Sequence, residues 1–181
     1  MSGDVTVISG PTAVGKGTVV QALKARHPEV WVSVSATTRP PRPTEVDGVH
    51  YHFVSNADFD VLVATDGLLE WATVHGRDRY GTPSAPVEAA VERGERVILE
   101  IDLQGARQVR QRLPGARLVF IAPPNWAVNR LVGRGTETAE QRERRLRTAQ
   151  VELAAADEFD HVVVNDDLGR AVDDLVSLLG L

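Results

Sequence analysis

Apolar and polar positions alternate along this chain in two rhythms, and the switches between them outline its elements. Val5 to Ser9 is an apolar run of strand length. It is followed at once by Val19, Val20 and Leu23 at helical spacing, in a segment that runs to about His27 and stops at Pro28. Val30 to Ser35 alternates like a strand and leads into 36–45, where three prolines in four residues (Pro40, Pro41, Pro43) forbid regular structure. Tyr51 to Val54 reads as a strand, Asn56 to Thr65 as a helix and Leu69 to Val74 as another strand, which together describe a small folded lobe. Tyr80-Gly81-Thr82 leads to a helix from about Ser84 to Arg93, closed by Gly94. Arg96 to Asp102 is a nearly continuous apolar strand, the pattern of burial on both faces of a parallel sheet. A helix from Leu103 to Leu113 and a strand from Ala116 to Ala122 come next, then a short helix after Pro124. A glycine-rich basic stretch, 130–138, enters a long helix from about Thr138 to Asp157, with Thr138 and Gln141 spaced as a capping box. The strand His161 to Val164 and an amphipathic helix to about Leu179 close the chain.

Strands of about five residues alternating with helices predict an α/β fold, with a sheet of about five parallel strands flanked by helices. In such sheets ligands sit beyond the carboxyl ends of the strands. The polar residues with chemical potential fall there: the loop after the first strand, Ser35 after the second, Asp102 after the third and Asn165 after the last.

The loop is the most specific feature. Gly10-Pro11-Thr12-Ala13-Val14-Gly15-Lys16-Gly17-Thr18 lies between a strand and a helix, the setting in which a phosphate-binding loop is credible. Gly10 and Gly15 let the backbone turn its N–H groups toward phosphate oxygens at the positive end of a helix, and Lys16 adds a mobile charge. The position after the lysine, where a hydroxyl commonly helps to hold Mg2+, is Gly17; Thr18 offers the next hydroxyl.

Composition narrows the possibilities. The 181 residues suit one compact domain with a real core, 43% of them hydrophobic and 25% charged. A net charge of −5 gives no general attraction for nucleic acid or anionic membrane, so any bound anion must be met by local arginines. No apolar run is long enough to span a bilayer, and a strand begins directly after Met1-Ser2-Gly3-Asp4, so the expected location is the cytoplasm. The absence of cysteine excludes disulfides, thiol catalysis and Cys-ligated zinc. No obligate protein partner is indicated.

Five further stretches complete an ordered pattern: 33–43, with Ser35, Arg39 and Arg42; 45–53, with Tyr51; Leu69-Glu70-Trp71-Ala72; Ile101-Asp102-Leu103-Gln104-Gly105; and Arg134-Gly135-Thr136-Glu137. With the loop, this set resembles the guanylate kinases, a family of P-loop nucleoside monophosphate kinases, over essentially the whole chain. The resemblance implies ATP-dependent, reversible phosphoryl transfer to GMP and dGMP. It implies a core of 1–34, 85–125 and 146–181, a GMP-binding lobe of 35–84 and a helical lid of 126–145. Ser35, Arg39, Arg42, Tyr51 and Tyr80 would hold the GMP phosphate, while Glu70, Thr82 and Asp102 would read guanine. ATP phosphates would lie on Gly10 to Thr18, with Asn165 and Asp166 toward the adenine and Arg134 and Arg145 on the lid. Lys16, Arg39, Arg42, Arg134 and Arg145 would carry catalysis. Mg2+ would rest on nucleotide phosphates and water, near Asp102, with no direct protein ligand. Ala13, Gly17 and Thr44 depart from residues the family often carries there. A different class, a catalytically silent phosphopeptide-binding module of the same fold, would be expected to lose the loop and lid charges that this chain keeps.

Overall fold

A computed structural model of the chain describes residues 5–74, 77–124, 151 and 153–181. Its elements in chain order are β1 (Val5–Ser9), α1 (Lys16–Arg26), β2 (Val30–Val32), β3 (Ala36–Thr37), β4 (His52–Phe53), α2 (Asn56–Ala64), β5 (Leu68–Val74), β6 (Asp78–Pro83), α3 (Ser84–Glu92), β7 (Arg96–Glu100), α4 (Leu103–Arg112), β8 (Arg117–Ala122), β9 (His161–Val164) and α5 (Leu168–Leu179). A 3-10 turn, Ala155–Glu158, precedes β9.

Five strands form one sheet in the order β2-β7-β1-β8-β9. The β2–β7 and β8–β9 pairs run parallel, with Val30 opposite Arg96 and Val119 opposite His161. Numbered within this sheet alone, the strands run 2-3-1-4-5, so the winding reverses beside β1, which is where a doubly wound sheet places its ligands. The apolar continuity of Val97, Ile98 and Leu99 has the cause expected from the sequence, since all three are buried.

A second, mixed sheet has the order β4-β3-β6-β5. β3 pairs parallel with β4 and antiparallel with β6, and β6 pairs antiparallel with β5. Here the fold departs from the expected elements. The alternating run 30–35 is not one strand: β2 ends at Val32, the Ser33 N–H donates to the Ile98 carbonyl at 3.0 Å, and the chain then enters the second sheet at Ala36–Thr37. Residues 78–83 also form a strand, although Asp78, Gly81 and Pro83 are poor strand formers. Partners on both sides override that local preference. The strand expected to reach Asp102 stops at Glu100.

The described chain divides into two compact units, Met1–Val7 with Glu29–Leu99 and Gln104–Ala116, and Ile8–Pro28 with Glu100–Leu103 and Arg117–Leu181. In the first, Ala36, Phe59 and Leu68 form a small core with Val54, Leu62 and Val63. Helix α2 starts there because the Ser55 hydroxyl accepts from the Asp58 N–H, a cap of the usual kind. In the second, Phe120, Ala122 and Ala156 pack with Leu153 and Phe159, the two phenylalanine rings 5.1 Å apart and edge-on. Among the described residues, no helix is long and apolar enough to cross a membrane. The capping box at Thr138 and most of the long helix expected there lie outside the described residues.

Candidate active site

The loop after β1 takes its shape from three left-handed residues, Gly10 (φ 147°), Ala13 (φ 64°) and Gly15 (φ 95°). Glycine at position 10 is a matter of space as well as of angle: a Cβ there would stand 2.3 Å from the Ile121 carbonyl oxygen. Gly15, in the left-handed conformation, is the N-cap of α1 and contributes no side-chain cap to it. An anion at the start of a helix meets backbone N–H groups and the positive end of the helix dipole together.

Lys16 folds over the loop, its Nζ donating to the carbonyls of Gly10 at 2.6 Å and Pro11 at 3.2 Å. Asn165, expected near the adenine, has its side-chain amide bonded to the loop itself: Nδ2 donates to the Val14 carbonyl at 2.9 Å, while its own N–H donates to Ala122 at 2.8 Å. It therefore ties the end of β9 to the middle of the loop. A carboxylate without an assigned role completes this group. Glu100, the last residue of β7, is half-buried beside Gly17, where a Cβ would lie 3.4 Å from its Oε1. Burial pushes its carboxyl above the ordinary carboxylate range, and the charge of Lys16 pulls it back. The available signal was its position, a charged residue ending an apolar strand.

A second group of expected residues gathers in the other unit. Arg39 presents its guanidinium to Glu45, with Nη1 to Oε2 at 2.6 Å and Nη2 to Oε1 at 2.7 Å, and its Nε donates to the Tyr80 hydroxyl at 3.0 Å. The guanidinium carbon also stands 5.0 Å from the ring centre of Tyr51 and 5.6 Å from that of Phe53. The hydrogen bonds to Glu45 raise the basicity of Arg39 further. The same bonds, with one from the Arg42 N–H, hold the Glu45 carboxyl down at about 2. Arg39, Tyr51 and Tyr80 thus lie together. Glu45, a residue of the same pattern with no role attached to it, joins them. Arg42 enters through its backbone, and its side chain is exposed. Ser35 is half-buried, and its carbonyl accepts from the His52 N–H at 2.9 Å.

Glu70 lies on β5 opposite Thr82 on β6, and the Thr82 hydroxyl donates to its Oε1 at 2.7 Å. At 4% exposure for Glu70 and 0% for Thr82, this is a buried carboxylate with a hydroxyl fixed beside it. The strand reaches that geometry through an irregularity: pairing shifts between Leu68 and Glu70, a bulge that re-aims the side chains following it. Gly81 makes the close approach possible, since a Cβ there would meet the Glu70 carbonyl oxygen and the Trp71 Cβ, each at 2.9 Å. Asp102 is half-buried in the other unit, directly before α4, and Asp166 accepts from Arg170 at 3.0 Å. Arg134 and Arg145 lie outside the described residues.

The strand order 2-3-1-4-5 and the glycine-bounded, lysine-bearing loop after its central strand define a P-loop kinase. The family model for guanylate kinase matches residues 2–180, and the chain belongs to the guanylate kinase family of enzymes. It is 64% identical over 179 residues to the guanylate kinase of Cutibacterium acnes, covering 98% of this chain and 90% of that protein. It is 59% identical over 175 residues to the guanylate kinase of Leifsonia xyli subsp. xyli, covering 96% and 69%. Among solved structures, guanylate kinase from Anaplasma phagocytophilum matches with a TM-score of 0.81 and 30% identity, covering 99% of this chain and 85% of that one.

Proposed function

We propose that this enzyme transfers the terminal phosphoryl group of ATP to GMP and dGMP, reversibly, giving ADP with GDP or dGDP. The observation that carries the choice of acceptor is the buried Glu70–Thr82 pair. Guanine presents N1–H and its 2-amino group as neighbouring donors, which one carboxylate accepts together, and the Thr82 hydroxyl could serve O6 once the base takes its place at the carboxylate and its proton turns away from Glu70. Adenine lacks that donor pair, and a buried polar site left unmatched by the wrong base discriminates by about 10⁴ to 10⁵. Asp102 would add to this reading of the base.

Phosphoryl transfer asks little covalent chemistry of the protein and much placement of charge. Arg39, Tyr51 and Tyr80, with Arg42 and Ser35, would hold the GMP phosphate, which must take from Glu45 some of the donors Arg39 now gives it. The loop from Gly10 to Thr18 would cradle the ATP phosphates, Lys16 exchanging its bonds to Gly10 and Pro11 for bonds to phosphate oxygens. Arg134 and Arg145 would close from a lid of 126–145 and a GMP lobe of 35–84 from the acceptor side, excluding water that would otherwise hydrolyse ATP.

The donors around the loop fit a hydrated Mg2+ carried on the nucleotide. Gly17 supplies no hydroxyl, and the half-buried Glu100 carboxylate beside it would suit a water of the ion, with Asp102 two residues further on. Glu100 would orient the hydration shell of such an ion and Lys16 would hold the oxygens, while the ion itself would supply neutralisation of phosphate charge.

The test is ADP release from ATP and Mg2+ with GMP, dGMP, AMP, UMP or CMP as acceptor, with Glu70→Ala alongside. Turnover confined to GMP and dGMP, and lost in the variant, supports the assignment. Binding of GMP without ADP release would replace it with a silent binding module.

A further inference from the structure

Strand β5 lies at the outer edge of the mixed sheet, with β6 on one side and, among the described residues, no strand on the other. An edge strand has half of its backbone groups unpaired, so its position is softer than that of an inner strand. In β5 the open side is filled by side chains from α4. The Gln108 amide bonds both ways to Trp71: the Trp71 N–H donates to Oε1 at 3.2 Å, and Nε2 donates to the Trp71 carbonyl at 2.7 Å, with a weaker bond to the Gln104 carbonyl at 3.4 Å. One turn further along α4, Arg112 donates from Nη1 to the Leu68 carbonyl at 2.9 Å and from Nη2 to Asp66 at 2.8 Å. These contacts bracket Glu70, one residue before Trp71 and two after Leu68, and the bulge lies between the brackets.

We propose that Gln108 is a positioning residue for purine selection: its amide replaces the missing neighbour strand at Trp71 and fixes the backbone that aims Glu70. The inference rests on the reading of Glu70 as the guanine reader. A carboxylate that must accept two donors from one base edge tolerates little displacement, and supporting contacts decide whether such a group is held or merely present. The bulge makes this strand the one that needs support. The bidentate amide matches the paired donor and acceptor of a strand residue, which no single-function side chain at position 108 can do.

The test compares kcat/KM for GMP with that for IMP, whose base lacks the 2-amino group, and also measures KM for ATP and the melting temperature. Gln108→Leu keeps volume and helix preference while removing both bonds. Its GMP-to-IMP preference is expected to fall about tenfold with KM for ATP unchanged. Arg112→Met should move the preference in the same direction. Gln108→Glu keeps the acceptor and loses the donor, and provides a second variant at position 108 should Gln108→Leu fold poorly. If Glu70→Gln abolishes the preference while the Gln108 variants stay within twofold of the parent, the inference fails and the reading of Glu70 stands. If Glu70→Gln leaves the preference intact, both fall. A loss shared equally by GMP, IMP and ATP would make Gln108 a stabilising contact only and would overturn the proposal.

Discussion

Glu45 occupies both terminal nitrogens of Arg39, at 2.6 and 2.7 Å, in a pair whose side chains are 11% and 12% exposed. A bidentate carboxylate presents to this fork a charge and spacing like those of a phosphate, so on the proposed role for Arg39 the guanidinium would be aimed before an acceptor arrived. The pair also has a pH signature. The folded carboxyl, at about 2, lies below the ordinary 4.5, so its stabilisation is complete above pH 4.5 and fades as the pH falls toward 2. Urea denaturation of the parent and Glu45→Gln is expected to show a stability gap that is constant from pH 7 to 5 and narrows at pH 3. A gap that persists unchanged at pH 3 would contradict the pairing.

Glu100 works in the opposite sense. Burial raises its carboxyl, so the folded state holds the proton more tightly than the unfolded chain does, and the ionised form costs stability at neutral pH. Glu100→Gln is expected to melt higher than the parent at pH 7.5, with the difference disappearing as the pH falls through the carboxylate range. Its turnover should fall by roughly 10- to 150-fold, the value of one charge-assisted bond, and its Mg2+ requirement should rise. A variant with lower stability and normal Mg2+ dependence would remove Glu100 from the phosphate site.

Gly17 can be tested by addition. A Cβ there would sit at ordinary contact distance, 3.4 Å, from Glu100 Oε1. Gly17→Ser should therefore fold, gain about 0.5 kcal/mol from better helix propensity, and reach half-maximal rate at lower Mg2+. Chemical denaturation and a Mg2+ titration of the rate decide this.

Gly81→Ala should do the reverse. Its Cβ would meet the Glu70 carbonyl and the Trp71 Cβ at 2.9 Å, so β5 would have to shift. A stability loss of about 1 to 3 kcal/mol and a rise of about tenfold or more in KM for GMP are expected, with KM for ATP little changed. An unaltered KM for GMP would show that β5 yields without moving Glu70.

The main sheet was legible because hydrophobic periodicity and the glycine loop agree with its topology. Val97 to Leu99 announced burial on both faces, and Gly10, Gly15 and Lys16 announced the turn. The mixed sheet was less legible. β6 contains Gly81 and Pro83, whose local preference is against a strand, and only pairing with β3 and β5 makes it one. The run from Val30 to Ser35 alternates without a break, yet its strand stops at Val32 and the next strand, Ala36–Thr37, belongs to the other sheet. At the site, the charged and aromatic residues carried by the family pattern could be named in advance, but their supports could not. Glu45, Glu100 and Gln108 act through partners 6, 84 and 37 positions away (Arg39, Lys16 and Trp71), separations that no local pattern encodes.

The 2.3 Å between a would-be Cβ at position 10 and the Ile121 oxygen bears on how such an enzyme can change over generations. While β8 keeps its place, no change that replaces glycine at position 10 yields a residue that fits, so that position is closed to drift. Position 13 already holds alanine in a left-handed conformation, a tolerated strain of about 1 to 2 kcal/mol. Within one nine-residue loop, then, selection meets a fixed point and a negotiable one. Variation among descendants of this chain should accumulate at position 13 and stay absent from position 10.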